Sequence, residues 1–105
     1  MDNLEDMLDS LIKSNIVSNE YKERVIAREK KAGTAFGGCI ALPHAVDEKV
    51  NNVIVSYGIL DKLIMVDGKE VGLIILLVIP SESQNSQDII VKTYQEIKIY
   101  QVIRR

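Results

Sequence analysis

Nine consecutive residues, Val71-Gly72-Leu73-Ile74-Ile75-Leu76-Leu77-Val78-Ile79, carry no polar side chain. A strand with one wet face alternates apolar and polar residues, so a strand without alternation must be covered on both sides. This one therefore reads as the central strand of a layered α/β domain, and Pro80 ends it. The run is far short of the roughly 20 apolar residues that a membrane-spanning helix needs. Asp67-Gly68 ahead of it is a turn signal that follows Leu63-Ile64-Met65-Val66. Further upstream, Val53 to Leu60 is β-rich and reads as another strand. With 105 residues there is room for one core, so residues 1–105 are read as a single domain.

Helices frame these strands. In residues 2–14, Leu4, Met7, Leu8, Leu11 and Ile12 form one apolar stripe at helical spacing, with Asp2 or Asn3 as the cap. Residues 18–31 give a second helix, capped by Ser18 or Asn19, with Tyr21, Val25 and Ile26 on its apolar face. Ala32 to Gly38 is loop-like, with three glycines, and Cys39 to Leu42 is a short strand stopped by Pro43. Cys39 reads as a buried small hydrophobe. Residues 80–86 read as a polar loop. Gln87 to Tyr100 reads as a last helix that buries Ile90, Val91, Tyr94, Ile97 and Val102. From Gln95 onward the texture also alternates like a strand. The expected fold is a layered α/β sandwich, a mixed central sheet flanked by helices.

Composition removes several classes of function. The net charge of −2 argues against a broad electrostatic grip on nucleic acid. The acidic start, Met-Asp-Asn-Leu-Glu-Asp, has no basic region of the kind that opens a secretory signal. One Cys and one His make neither an internal disulfide nor a Cys/His zinc site, and no metal or other cofactor is expected. Any imidazole chemistry belongs to His44.

Taken alone, a histidine after a proline is an ordinary loop residue. Here Pro43 fixes the backbone entering His44 at a strand end, where ligand sites of α/β sheets gather. The upstream glycines permit close backbone approach to an anion. Arg28, at the end of the second helix, is a candidate to bind phosphate through its planar fork. A nucleophile, a cation and backbone donors are the parts that phosphoryl transfer uses.

Read together, Tyr21, Arg28-Glu29, Gly33-Thr34, Gly38 and Ala41-Leu42-Pro43-His44-Ala45 resemble the IIA domain of the fructose/mannitol class of the bacterial sugar phosphotransferase system. The middle strands and the Ile79-Pro80 step extend the resemblance over most of the chain. The resemblance implies that His44 is phosphorylated at Nε2 by the phosphohistidine of the carrier protein HPr. It makes Arg28 the residue that steadies the phosphate, and Thr34 and Gly38 part of the loop that shapes the pocket. It also implies a cytoplasmic protein that passes phosphate to a cysteine of a IIB domain or signals to the domains of a transcriptional regulator, with no membrane insertion.

The chain departs from that pattern in two ways. Transport members often carry a second histidine opening the last helix; the matching positions here are Gln87 or Asp88. Gln87 is able to donate a hydrogen bond to phosphate, whereas Asp88 would repel it. Relative to the family, both ends are expected to be truncated. These departures favour a regulatory role over sugar uptake, and they leave the alternative of a degenerate IIA-like partner-binding module that accepts no phosphate.

Overall fold

A computed structural model describes residues 1–31, 33–36, 38–81 and 84–104. Its elements are α1 (Leu4–Lys13), α2 (Asn19–Lys31), β1 (Ala35–Phe36), β2 (Ile40–Ala41), β3 (His44–Val46), β4 (Ile54–Val66), β5 (Lys69–Ile79) and α3 (Gln84–Arg104). The caps follow from short polar side chains. Asn3 accepts from the Asp6 amide at 2.9 Å, and Ser18 Oγ accepts from the Tyr21 amide at 3.1 Å.

The sheet is mixed and built around β5. Along one edge, β2 pairs with it in parallel (Ile40 opposite Leu73), and β3 follows (His44 opposite Leu77). β4 lies antiparallel along the other edge, from Ile54 opposite Val78 to Val66 opposite Lys69. β1 adds an outer antiparallel pair to β2. The β4–β5 hairpin closes at Asp67-Gly68, both at positive φ (49° and 77°), as a tight turn between twisted strands demands.

β5 is covered on both sides, as its composition requires. Val71, Ile74, Leu76 and Val78 pack with Met7 and Leu8 of α1 and Tyr21 and Val25 of α2. Ile75, Leu77 and Ile79 pack with Ile40, Leu42 and Ile90, bordered by Tyr94 and Ile97 of α3. Gly58 permits α1 to sit close against β4, since a Cβ there would stand 2.7 Å from Met7 Sδ. The layered α/β arrangement expected from the sequence is the fold observed.

Several local expectations need correction. The strand before Pro43 does not simply stop. It breaks over Leu42-Pro43 and resumes as β3, because the proline lacks an N–H yet its carbonyl still accepts from the Leu77 amide at 3.0 Å. The runs Val53–Leu60 and Leu63–Val66 are one strand, β4, with a register shift between Ile59 and Ile64. At that level the Gly72 and Leu73 amides both donate to the Cys39 carbonyl on the opposite side of β5.

Cys39 is exposed, not buried, because it occupies the tight β1–β2 turn with φ +63°. The last helix starts at Gln84, earlier than Gln87, and its backbone stays helical through Arg104 despite the alternating texture after Gln95. Ile90, Tyr94 and Ile97 recur at helical spacing against the sheet, and that contact selects the helical period. Val91 falls off this stripe and is 53% exposed. Ala32, Gly37, Glu82 and Ser83, and the side chain of Val102, lie outside what is described.

Candidate functional site

The site forms where α2 crosses the β3 lane. Asp47, just beyond β3, is buried and acts as the clasp. Its carboxylate accepts from the Ser18 amide at 2.8 Å and the Lys49 amide at 3.1 Å, and its own amide donates to the Ile79 carbonyl at 2.8 Å. The start of α2 is thereby tied to the ends of both β3 and β5. A turn further on, the buried Tyr21 hydroxyl donates to the Leu77 carbonyl at 2.8 Å, at the level of His44. Burial, with Asp47 nearby, pushes the Tyr21 phenol well above its ordinary range, so it stays a neutral donor. Arg24 Nη1 donates to the Val46 carbonyl at 2.8 Å. The helix is thus pinned at three heights, and its last turns are carried past His44.

His44, the first residue of β3, is half-buried. Its Nδ1 lies 3.3 Å from the Leu42 carbonyl oxygen. A carbonyl only accepts, so this contact places the proton on Nδ1 and leaves Nε2 with a lone pair. Burial lowers the imidazole pKa below its ordinary 6.5; the Leu42 carbonyl opposes this, Arg28 adds to it and Glu29 opposes it. The neutral, nucleophilic form is therefore favoured at neutral pH.

A cavity of about 700 Å³ opens over this ring. Arg28, His44 and Gln87 all line it, although they come from α2, β3 and α3. Thr34 and Gly38 do not. The Thr34 hydroxyl donates to Glu29 Oε1 at 2.7 Å, with its amide at 3.3 Å from Oε2, so it ties the loop back onto α2 beside Arg28. Gly38 sits at φ +72° in the β1–β2 turn.

The cavity also has walls that sequence reasoning missed: Arg24, Glu48, Ser81 and Ser86. Arg24 was detectable, since it precedes Arg28 by one helical turn on the same face. Ser86 had no signal of its own. Its place in the first turn of α3 is fixed by its hydroxyl donating to the Ser81 carbonyl at 2.6 Å. Among the described residues no group of three His, Cys, Asp or Glu is placed to hold a metal ion. No helix among them is long and apolar enough to cross a membrane.

The arrangement is a nucleophilic imidazole beside guanidinium groups and neutral hydrogen-bond donors, in a concavity at a sheet edge. Such a set of groups is chemically able to hold an oxyanion next to a nitrogen nucleophile. Residues 2–99 match the family described as phosphoenolpyruvate-dependent sugar phosphotransferase system, EIIA 2, and the chain belongs to that family. Among solved structures it is similar to the nitrogen regulatory protein IIA-Ntr from Neisseria meningitidis, with 25% identity and a TM-score of 0.56. That match covers 66% of this chain and 49% of the neighbour, so the chain spans about half of the neighbour's length.

Proposed function

We propose that this domain is a phosphohistidine carrier of the phosphotransferase system, accepting phosphate from HPr on His44. The observation that carries the reading is the meeting of His44 and Arg28 on the wall of one cavity, with the imidazole proton held at Nδ1. The lone pair of Nε2 attacks phosphorus as the N–P bond of the donor breaks, and that electron pair returns to the donor imidazole. Positive charge then builds on the His44 ring, and the Leu42 carbonyl stabilises it through the Nδ1 proton. Arg28 faces the charge on the phosphoryl oxygens, and its planar fork suits them. Little else is required of the protein, since phosphoryl transfer depends chiefly on positioning and charge.

The onward acceptor is a IIB domain or the domains of a transcriptional regulator, and the working compartment is the cytoplasm. We favour the regulatory role. Gln87, not a second imidazole, stands on the cavity wall, and a neutral amide supplies a hydrogen bond without the positive charge that would speed onward transfer. The neighbouring structure is itself described as a nitrogen regulatory protein.

Incubation with enzyme I, HPr and phosphoenolpyruvate is expected to add one acid-labile phosphoryl group by intact mass, and His44→Ala to abolish it. No uptake by the wild type would leave the partner-binding module as the reading. Uptake by the alanine variant would move the acceptor elsewhere.

A further inference from the structure

α2 treats its cations in two ways. Lys22 is neutralised: its ammonium lies 2.7 Å from Asp9 and 3.8 Å from Glu5, on the side facing α1. Arg24 and Arg28 face the cavity instead, and among the described residues neither makes an ion pair. They are one helical turn apart, which brings their stems to neighbouring positions on one face. Arg24 uses one of its N–H groups on the Val46 carbonyl, and the guanidinium has four more. Among the described residues the lining holds one carboxylate, Glu48. Among the described lining residues two guanidiniums stand against one carboxylate, beside an imidazole on which Glu29 also acts, in a chain of net charge −2. Unpaired cations gathered in a cavity are a binding arrangement for an oxyanion, whereas Lys22 shows how the same helix handles a cation used for support.

We propose that Arg24 is a second oxyanion-binding residue of this site, holding the phosphoryl group jointly with Arg28. The identity of the anion rests on the phosphocarrier reading above; the binding role of Arg24 does not. Arg28 sits at the level of His44, and its charge acts directly on that imidazole. Arg24, tethered at Val46, approaches the same cavity from the far end of β3. A phosphoryl group between them is clamped from two directions and held as the dianion.

The test reads the charge of Arg24 at the phosphoryl group. Arg24→Gln removes the charge and ends two bonds short of the Nη1 that reaches Val46, and it keeps a good helix former at an exposed position; Arg24→Lys returns the charge without the fork. On the phosphorylated protein, the ³¹P titration midpoint of the phosphoryl group is expected to rise by about 0.5–1 pH unit in Arg24→Gln, and Arg24→Lys to restore most of it. An unchanged midpoint in Arg24→Gln would reduce Arg24 to a tether and overturn the proposal. A second arm needs no phosphorylation. Inorganic phosphate is titrated into the unmodified protein while the His44 ring resonances are followed. Arg24→Gln is expected to weaken that binding about fivefold. Phosphate binding that depends on Arg24, in a protein that takes nothing from HPr, would sustain this inference and defeat the carrier reading. Binding indifferent to Arg24, or no response at His44 in the wild type, would defeat the inference.

Discussion

On one side of β5 lie β2 and β3, of two and three residues, broken at Leu42-Pro43; on the other lies β4, thirteen residues long. Both flanks bury apolar side chains toward α1 and α2. They differ in what the opposite face and the backbone are left to do. β4 keeps a long ladder with β5, and its alternate side chains Val55, Tyr57, Ile59, Leu63 and Met65 stand exposed, Ile59 at 76%. The broken flank has its opposite face covered, with Leu42 fully buried, while the Leu42 carbonyl turns to the His44 ring. Continuity serves the fold. Interruption delivers a side chain, with a fixed tautomer, to a place a helix can reach.

The largest effect that sharpens this contrast lies in the shared interior. Leu76 is fully buried against α1 and α2, so Leu76→Ala is expected to cost about 3 kcal/mol in urea denaturation. Ile59→Thr on the open side of β4 is expected to change stability by less than about 0.5 kcal/mol. A comparable loss at Ile59 would mean that the open face is covered in solution, and the contrast would fail.

An intermediate effect is expected at the clasp. The amides of Ser18 and Lys49 bond different oxygens of Asp47, so Asp47→Asn keeps an acceptor for one of them and loses the negative charge at the start of α2. A loss of about 1–2 kcal/mol is expected, measured by urea midpoint. Phosphoryl uptake should slow with it, since the same clasp sets where Arg24 and Arg28 stand. Stability lost with uptake intact would uncouple the clasp from the site.

The smallest effect is a pH dependence confined to the broken flank. Because burial lowers the His44 pKa, its NMR titration midpoint should fall below 6.5. The unfolded chain then binds the proton more readily than the folded one, between the folded midpoint and about 6.5. The contribution of His44 to stability is complete above that window and is lost as the pH falls through it. His44→Gln should flatten the slope there. Arg28→Gln should raise the midpoint, since Arg28 pushes it down.

Much of this was legible from the residues. The unbroken apolar run of β5 required cover on both sides, and the helical stripes of α1 and α2 supplied one of the covers. Asp67-Gly68 required a turn, and the short polar residues Asn3 and Ser18 required the starts of two helices. Pro43 marked the end of a strand segment, because a proline constrains backbone whatever surrounds it. These are local properties, and local sterics and periodicity decide them.

What remained was decided by contacts between residues distant in the chain. Asp47 gave no sign of being buried until the amides of Ser18 and Lys49 came to its carboxylate. Cys39 reads as apolar but is exposed, because the β1–β2 turn claims its backbone. The residues after Gln95 alternate like a strand and form a helix, because Ile90, Tyr94 and Ile97 find the β5 face only at the helical period. Arg24 and Arg28 are adjacent on a helix in any fold, but only the docking of α2 across β3 turns both toward His44 and makes a surface pair into the wall of a cavity.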